Sequence, residues 1–412
     1  METRTLHTTC CIAGGGPAGI MAGFLLARAG IDVLVLEKHK DFFRDFRGDT
    51  IHPSTFQLIH ELGLLDKFLK IPHQELSLLS GIFNGREVTL ADFSHLKVAR
   101  PVLGLMPQWD FLNFLVEEAA RYSCFSFIRE ASVAGLLMDK ERIAGVRAET
   151  PEGTLEVHSR LVIGTDGRQS TVRKEAGFEV IDTGAPIDVL WFRLSRHPAD
   201  PGQALGNFYQ GSILILVDRG TYWQCGYVIE KGRYDRIRQN GLDAFRTELA
   251  TVSPFLKDRV PEITAWDGIQ LLSVAIDHLR TWYREGLICI GDAAHAMSPV
   301  GGVGINLAIQ DAVAAANMLW RPLCNGENVP LTVLARLQTR RTFPTRVTQA
   351  LQVLIQREIQ RAINRKGKAT GKTTLPFFLR LLGWFPVLRR IPARLVGLGI
   401  RAEHIHSPEV TA

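Results

Sequence analysis

The sequence predicts an α/β fold in which a lobe of parallel strands and helices is assembled from separated segments, with an inserted, mostly antiparallel β-sheet and a helical C-terminal region. Three observations predict it. A strand, a glycine-rich turn, a helix and a second strand open the chain within about thirty residues, the spacing of a βαβ unit. Two later apolar strands, Leu161–Thr165 and Leu287–Ile290, each run into a turn containing Gly and Asp. Between Ile187 and Ile229 the apolar period changes from helical spacing to two, which is the mark of strands with one buried face.

Taken in order, Thr8–Ala13 reads as a short buried strand and Ala18–Ala29 as an alanine- and leucine-rich helix ending at Gly30. Asp32–Glu37 is the next strand. Gly63 closes a helical segment over Ser54–Leu62, Leu76–Leu105 alternates like strands of a sheet, and Trp109–Arg121 is helical. A long helix with few breakers starts near Gly304 and runs to about Leu319. Thr332–Asn364 is helical and arginine-rich with an interruption at Pro344; a polar loop, Lys366–Thr374, precedes an apolar tail studded with arginine. The division that follows assigns residues 1–75, 108–180 and 276–330 to the first lobe, 76–107 and 181–275 to the inserted sheet, and 331–412 to the helical region.

Bulk composition bounds the function. At 412 residues, 46% hydrophobic and 22% charged, the chain matches a folded globular protein with a large core. A net charge of +6 suits anionic ligands such as dinucleotides and does not by itself select nucleic acid. Six scattered cysteines without metal-ligand spacing read as reduced core thiols. Met1–His7 contains no apolar stretch of the signal-peptide kind and no segment reads as a membrane span, so a cytoplasmic location is expected.

Three segments carry the chemistry. Gly14-Gly15-Gly16-Pro17-Ala18-Gly19 fits G-x-G-x-x-G between a strand and a helix. Glycines there permit a tight turn, close approach of a pyrophosphate, and close packing of helix on strand. The helix N-terminus offers free N–H groups and a partial positive charge to the phosphates. Glu37, with Lys38 beside it, ends the second strand, where a carboxylate accepts hydrogen bonds from ribose hydroxyls. The second segment is Gly164-Thr165-Asp166-Gly167-Arg168, continuing to Arg173. The third is Gly291-Asp292-Ala293-Ala294-His295, followed by Ser298-Pro299-Val300-Gly301-Gly302-Val303-Gly304-Ile305-Asn306.

The second and third segments resemble the D-G and G-D fingerprints of the class A flavoprotein monooxygenases, the group that includes para-hydroxybenzoate hydroxylase, and the resemblance covers roughly Thr8 to Arg346. It implies a Rossmann-like FAD-binding domain of the glutathione-reductase type (GR2), with the inserted sheet as substrate domain. It also implies roles. Asp292, after Gly291, holds the ribityl chain of FAD; Gly301 to Asn306, with Gly302, Gly304, Ile305 and Asn306, meet the flavin pyrimidine edge; Pro299 presents its carbonyl to the oxygen-bearing face. Asp166 supports the stretch between riboflavin and pyrophosphate, and Arg173 organises the turn or meets the nicotinamide cofactor. Arg47, in Phe46-Arg47-Gly48-Asp49, resembles the arginine beside the isoalloxazine, and Gln108 stands where relatives place an Arg or Gln near the ribityl chain. Pro299 and Arg47 are thereby the candidate catalytic residues.

The activity implied is hydroxylation of an aromatic or other electron-rich ring. NADH or NADPH reduces FAD, O₂ adds to give a C4a-hydroperoxide, and one oxygen atom passes to a small aromatic or quinonoid substrate; nucleic acid is not a partner. The alternative is an FAD-dependent dehydrogenase or reductase that inserts no oxygen. Substrate contacts are expected from Trp191, Arg193, Phe208, Tyr209, Tyr222, Trp223 and Tyr227, of which alternation puts about half on the pocket side. Gly367 to Thr373 lacks the spacing of a phosphate loop. His295 has no second ligand at helical spacing, so hydrogen bonding beside the flavin is expected rather than a metal. The absence of a G-W-x-W-x-I-P segment counts against a flavin halogenase. The tail from Leu375 to Ile400 is read as helix packed on the enzyme body, ahead of peripheral membrane contact, a cover for the substrate mouth or a partner interface.

Overall fold

The computed structural model describes residues 3–42, 50–200, 206–364 and 377–410. The chain opens with β1 (Thr3–Ala13), α1 (Pro17–Arg28) and β2 (Val33–Glu37), then α2 (Pro53–Glu61). It continues through β3 (Leu78–Phe83) and β4 (Arg86–Asp92) to α3 (Gln108–Ala119). Four strands follow: β5 (Phe125–Arg129), β6 (Ser132–Asp139), β7 (Arg142–Thr150) and β8 (Gly153–Gly164). After the short α4 (Thr171–Glu175) come β9 (Ile187–Ser195), β10 (Gly206–Tyr209), β11 (Ser212–Asp218) and β12 (Tyr222–Glu230). Next are α5 (Leu242–Val252), β13 (Gln270–Leu272), β14 (Tyr283–Arg284) and β15 (Leu287–Cys289). The chain finishes with α6 (Val303–Cys324), α7 (Leu331–Asn364), α8 (Phe377–Trp384) and α9 (Arg390–Gly397).

The first sheet has the path β14-β15-β8-β1-β2-β5, with β7 laid antiparallel on β8 and β6 antiparallel on β7. Its central strands are parallel, and register brings Ala13 opposite both Gly164 and Leu36, and Gly164 opposite Cys289. The three motif turns therefore all leave from one carboxyl edge, where ligands of open parallel sheets bind. Cys10 to Ala13 are fully buried, as expected of a strand covered on both faces. Small residues set how closely the covering helices approach: a Cβ on Gly291 would lie 3.0 Å from Ala18 on α1 and 3.3 Å from Ala308 on α6.

The second sheet has the order β13-β9-β12-β11-β10-β3-β4, antiparallel except where β10 runs alongside β3. One face carries Phe192, Trp223 and Tyr227 against Phe245 and Leu249 of α5. The other faces inward. Three departures from expectation are physical. Strands β5–β7 carry weak alternation and exist because each finds a partner: β5 on β2, β7 on β8, and β6 on β7. Helix α7 runs unbroken through Pro344, because buried side chains at Arg341, Thr345, Gln349, Gln352 and Gln356 anchor it on both sides of the proline. Cys324 is exposed and Cys124 half-buried, whereas Cys10, Cys11, Cys225 and Cys289 are the core thiols expected.

Beyond α9 the chain is extended and docks back on the first lobe. Val410 N–H donates to the Arg28 carbonyl at 2.9 Å, and Asn317 bonds the backbone of His404, His406 and Ser407 at 2.7 to 2.9 Å. Among the described residues no helix is long and apolar enough to cross a membrane.

Candidate functional site

One continuous cavity of about 2050 Å³ joins the carboxyl edge of the first sheet to the inner face of the second. It exceeds the roughly 300–1,000 Å³ usual for a single small ligand. Gly14, Gly16, Pro17, Ala18, Glu37, Lys38, Gln108, Asp166, Asp292, Pro299, Gly302, Gly304 and Ile305 all line it. Gly19, Gly291 and Asn306 do not, and Arg47 lies outside the described residues, as do Gly367 to Thr373.

The glycines of the first turn differ in what surrounds them. Gly14 has φ +111°, and a Cβ there would stand 2.6 Å from the Thr165 carbonyl oxygen. On Gly19 a Cβ would fall 2.0 Å from the Gly14 carbonyl oxygen, so this glycine is the close contact of helix on strand. Around Gly16 nothing lies within 4 Å of such an atom: the backbone is open to the cavity at the N-terminus of α1. A tight turn, an open approach and a close packing contact are the three properties a pyrophosphate-binding turn needs, so these residues fit a dinucleotide such as FAD. Glu37 accepts the Gly15 N–H at 2.9 Å and the His39 N–H at 3.0 Å, which fixes its carboxylate at the cavity wall.

In the second turn Asp166 accepts the Ser170 hydroxyl at 2.5 Å and the Val172 N–H at 3.0 Å. Burial pushes its carboxyl above the usual range, against those hydrogen bonds. Arg173 donates to Asp277 at 3.3 Å and to the Arg168 carbonyl, so it organises the turn. Arg168 then reaches Asp292 at 4.0 Å, bringing the second and third motifs together across the cavity.

The third motif is held from behind. Asp311, fully buried on α6, accepts the Gly291 N–H at 3.0 Å, the His295 ring at 2.5 Å and the Arg341 guanidinium at 2.7 Å. Burial alone would raise its carboxyl; the charges and hydrogen bonds of His295 and Arg341 outweigh that and hold it below its usual range. Arg341 continues to Glu403, which also takes a fork from Arg340. His295 leans on Trp282 and turns away from the cavity, so the expected hydrogen bond beside the flavin goes to Asp311 instead.

The loop carrying Pro299 is clamped by three glutamines on one face of α7. Gln349 donates to the Ala296 carbonyl at 3.0 Å; Gln352 accepts the Ser298 N–H at 3.1 Å and donates to the carbonyls of Ser298 and Val300; Gln356 donates to the Ser298 hydroxyl. The Pro299 carbonyl accepts the Gly302 N–H at 3.0 Å, which closes a single 3₁₀ turn before α6. Gly301 and Gly302 have φ of +81° and +61°, and a Cβ on Gly302 would collide with the Thr50 hydroxyl at 2.2 Å. Asn306 is buried and spends its side chain on His52, Thr55, Thr50 and Gly302, tying the start of α2 to this loop. The glutamine row escaped the sequence reading; its spacing of three and four on an arginine-rich helix was the available signal.

At the far end, β9, β11 and β12 turn Val189, Trp191, Ile215 and Val228 into the cavity. Trp191 lies over Gly226, where a Cβ would stand 3.0 Å from the indole. Phe208 stacks on Phe83 with ring centroids 4.2 Å apart. Of the seven candidate substrate residues, Trp191 and Phe208 line the cavity. Trp223 and Tyr227 point to the opposite face, and Arg193 covers Tyr222 outside.

Fold and site together define a dinucleotide-binding flavoprotein. A model of the FAD binding domain family matches residues 7–350, and the chain belongs to that family, the FAD-dependent monooxygenases of the para-hydroxybenzoate hydroxylase type. It is 29% identical to 6-methylpretetramide 4-monooxygenase of Streptomyces rimosus over 391 residues, covering 93% of this chain and 92% of that one. Rifampicin monooxygenase of Rhodococcus hoagii is 28% identical over 330 residues; the match takes in 75% of this chain but 62% of that longer protein. The crystal structure of p-nitrophenol 4-monooxygenase from Pseudomonas putida superposes with a TM-score of 0.76 at 19% identity, covering 96% of this chain and all of that one, which establishes the shared fold.

Proposed function

We propose that the enzyme uses NADH or NADPH and O₂ to hydroxylate an aromatic, polyketide-like ring held against the inner face of the second sheet. The observation that carries this reading is the single cavity, with three nucleotide-binding turns at one end and an apolar, aromatic wall at the other. The name of the Streptomyces rimosus relative, which matches over nearly its whole length, supports a fused-ring acceptor.

When bound, FAD supplies the chemistry, accepting hydride from the nicotinamide and activating O₂ for transfer of one oxygen atom. The chain's residues bind and orient. Gly14 to Ala18 and the α1 N-terminus receive the pyrophosphate, and Glu37 the ribose hydroxyls, with Lys38 beside it. Asp292 and Gln108, both at the cavity wall, take the ribityl chain, and Asp166 supports the stretch between riboflavin and pyrophosphate. Gly302, Gly304 and Ile305, at the N-terminus of α6, would hold the flavin ring, and the partial positive charge there would stabilise negative charge on it. Pro299 and Arg47 stay assigned to the reacting face. Trp191, Phe208 and the aliphatic strands orient the ring and exclude water.

The test is turnover under ¹⁸O₂ against phenolic, quinonoid and fused-ring polyketide compounds. A product heavier by one ¹⁸O atom is expected, with NAD(P)H consumed in step. Anaerobic reduction of a ring acceptor, with no label incorporated in air, would instead establish the dehydrogenase or reductase reading.

A further inference from the structure

Positive charge is not spread over this molecule. From Ile359 to Ala402 the sequence holds ten Lys and Arg and not one Asp or Glu, whereas the rest of the chain, with 38 basic and 42 acidic residues, is net negative. Within that stretch, residues 377–400 are drawn only from apolar side chains, Gly, Pro and Arg. Prolines break the segment into α8, a 3₁₀ turn (Pro386–Arg389) and α9. One side of it packs on β4 and lines the cavity through Leu382, Leu388 and Pro392. The opposite side is exposed and apolar: Trp384 is 60% exposed, Phe385 56%, Val387 59% and Ile391 59%. Arg380 lies over the Trp384 ring at 5.0 Å, and Arg390 and Arg394 are exposed among these side chains.

Ile391 belongs to both sides. It lines the cavity and is mostly exposed, as is Leu354 on α7, and Ile355 is about half exposed, so apolar side chains of both helices reach from the cavity lining to the surface.

We infer that the exposed face of α8, the 3₁₀ turn and α9 rests on an anionic lipid surface, with the cavity mouth opening onto it. The inference rests on the proposed function only in taking that mouth as the substrate's entrance. Aromatic and aliphatic side chains enter the interface while arginines extend to the lipid phosphates. Each cation near such a surface strengthens binding severalfold, and no carboxylate in the stretch opposes it. An acidic protein would supply the charge too, but the face offers no hydroxyl, amide or carboxylate side chain for directional pairing, and a rigid partner would seal the mouth. A fluid surface leaves the mouth accessible to ring compounds dissolved in it.

The test is co-sedimentation of the FAD-loaded enzyme with vesicles of phosphatidylcholine alone or of an equal mixture with phosphatidylglycerol. No turnover is read, so the outcome is independent of the substrate. Binding to the mixed vesicles is expected to be about tenfold tighter or more, and to weaken as salt is raised. The double variant Arg390→Gln, Arg394→Gln is expected to lose about tenfold of that binding, and Trp384→Ser with Phe385→Ser to weaken it independently, all with flavin absorbance unchanged. Failure to bind either vesicle at low salt, equal binding to both, or indifference to all four substitutions would overturn the inference.

Discussion

Gln352 grips Ser298 by both halves of its backbone, accepting its N–H at 3.1 Å and donating to its carbonyl at 2.9 Å. Both residues are buried, so neither backbone group has water as an alternative. Gln352, just past the end of the matched family segment, thus shapes the loop bearing Pro299 without lining the cavity itself.

Removing that grip leaves a buried N–H and carbonyl unpaired, at about 1–3 kcal/mol each. Gln352→Ala is expected to raise the Kd for FAD about tenfold while the protein remains folded. Fluorescence titration of the flavin measures it; an unchanged Kd would remove the glutamine row from the site.

Gly16 and Gly14 should fail in opposite ways. A Cβ at Gly16 has no protein atom within 4 Å, so for Gly16→Val thermal stability without flavin is expected to stay near wild type while FAD occupancy is lost. At Gly14, with φ +111° and a carbonyl oxygen 2.6 Å from any Cβ, Gly14→Ala is expected to cost about 2 kcal/mol or more before any ligand is added. Calorimetric melting of both apo proteins separates the two effects.

Asp311 joins Gly291, His295 and Arg341 inside the core. Asp311→Asn leaves the buried Arg341 cation underpaired, so a loss of about 3–5 kcal/mol is expected in urea unfolding. Loosening of the Gly291 turn should accompany it as weaker FAD binding.

His52 carries a pH dependence. Its Nδ1 faces the Val396 carbonyl at 2.6 Å and so bears the proton, and burial lowers the ring's pKa to about 4. The unfolded ring takes up its second proton near pH 6.5. The native state therefore keeps this stability above about 6.5 and loses it as pH falls towards 4, by roughly 2 kcal/mol at pH 5. His52→Gln should flatten that part of the stability profile; an equally steep profile in the variant would contradict the assignment.

The parts of this molecule legible in its sequence are those fixed by local chemistry. Gly14 to Gly19, Asp166-Gly167 and Gly291-Asp292 are readable because turns at the carboxyl edge of a sheet demand glycine and place an acid beside a ligand. Alternation likewise exposes β9, β11 and β12, including Trp191 as a wall residue. Long-range partnerships are not readable in this way. Strand β5 pairs with the distant β2, Gln352 and Ser298 lie 54 residues apart in sequence, and Glu403 meets Arg341 from beyond the matched family segment. Asn306 shows the intermediate case: its motif is visible, yet its side chain turns inward to His52 and Thr55.

The proposed FAD site draws its residues from three segments distant in sequence. Calorimetric titration of flavin-free protein with FAD tests this directly. Saturation at one FAD per chain is expected, with the appearance of yellow flavin absorbance in the protein fraction. A correctly folded protein that takes up no heat and stays colourless in excess FAD would contradict it.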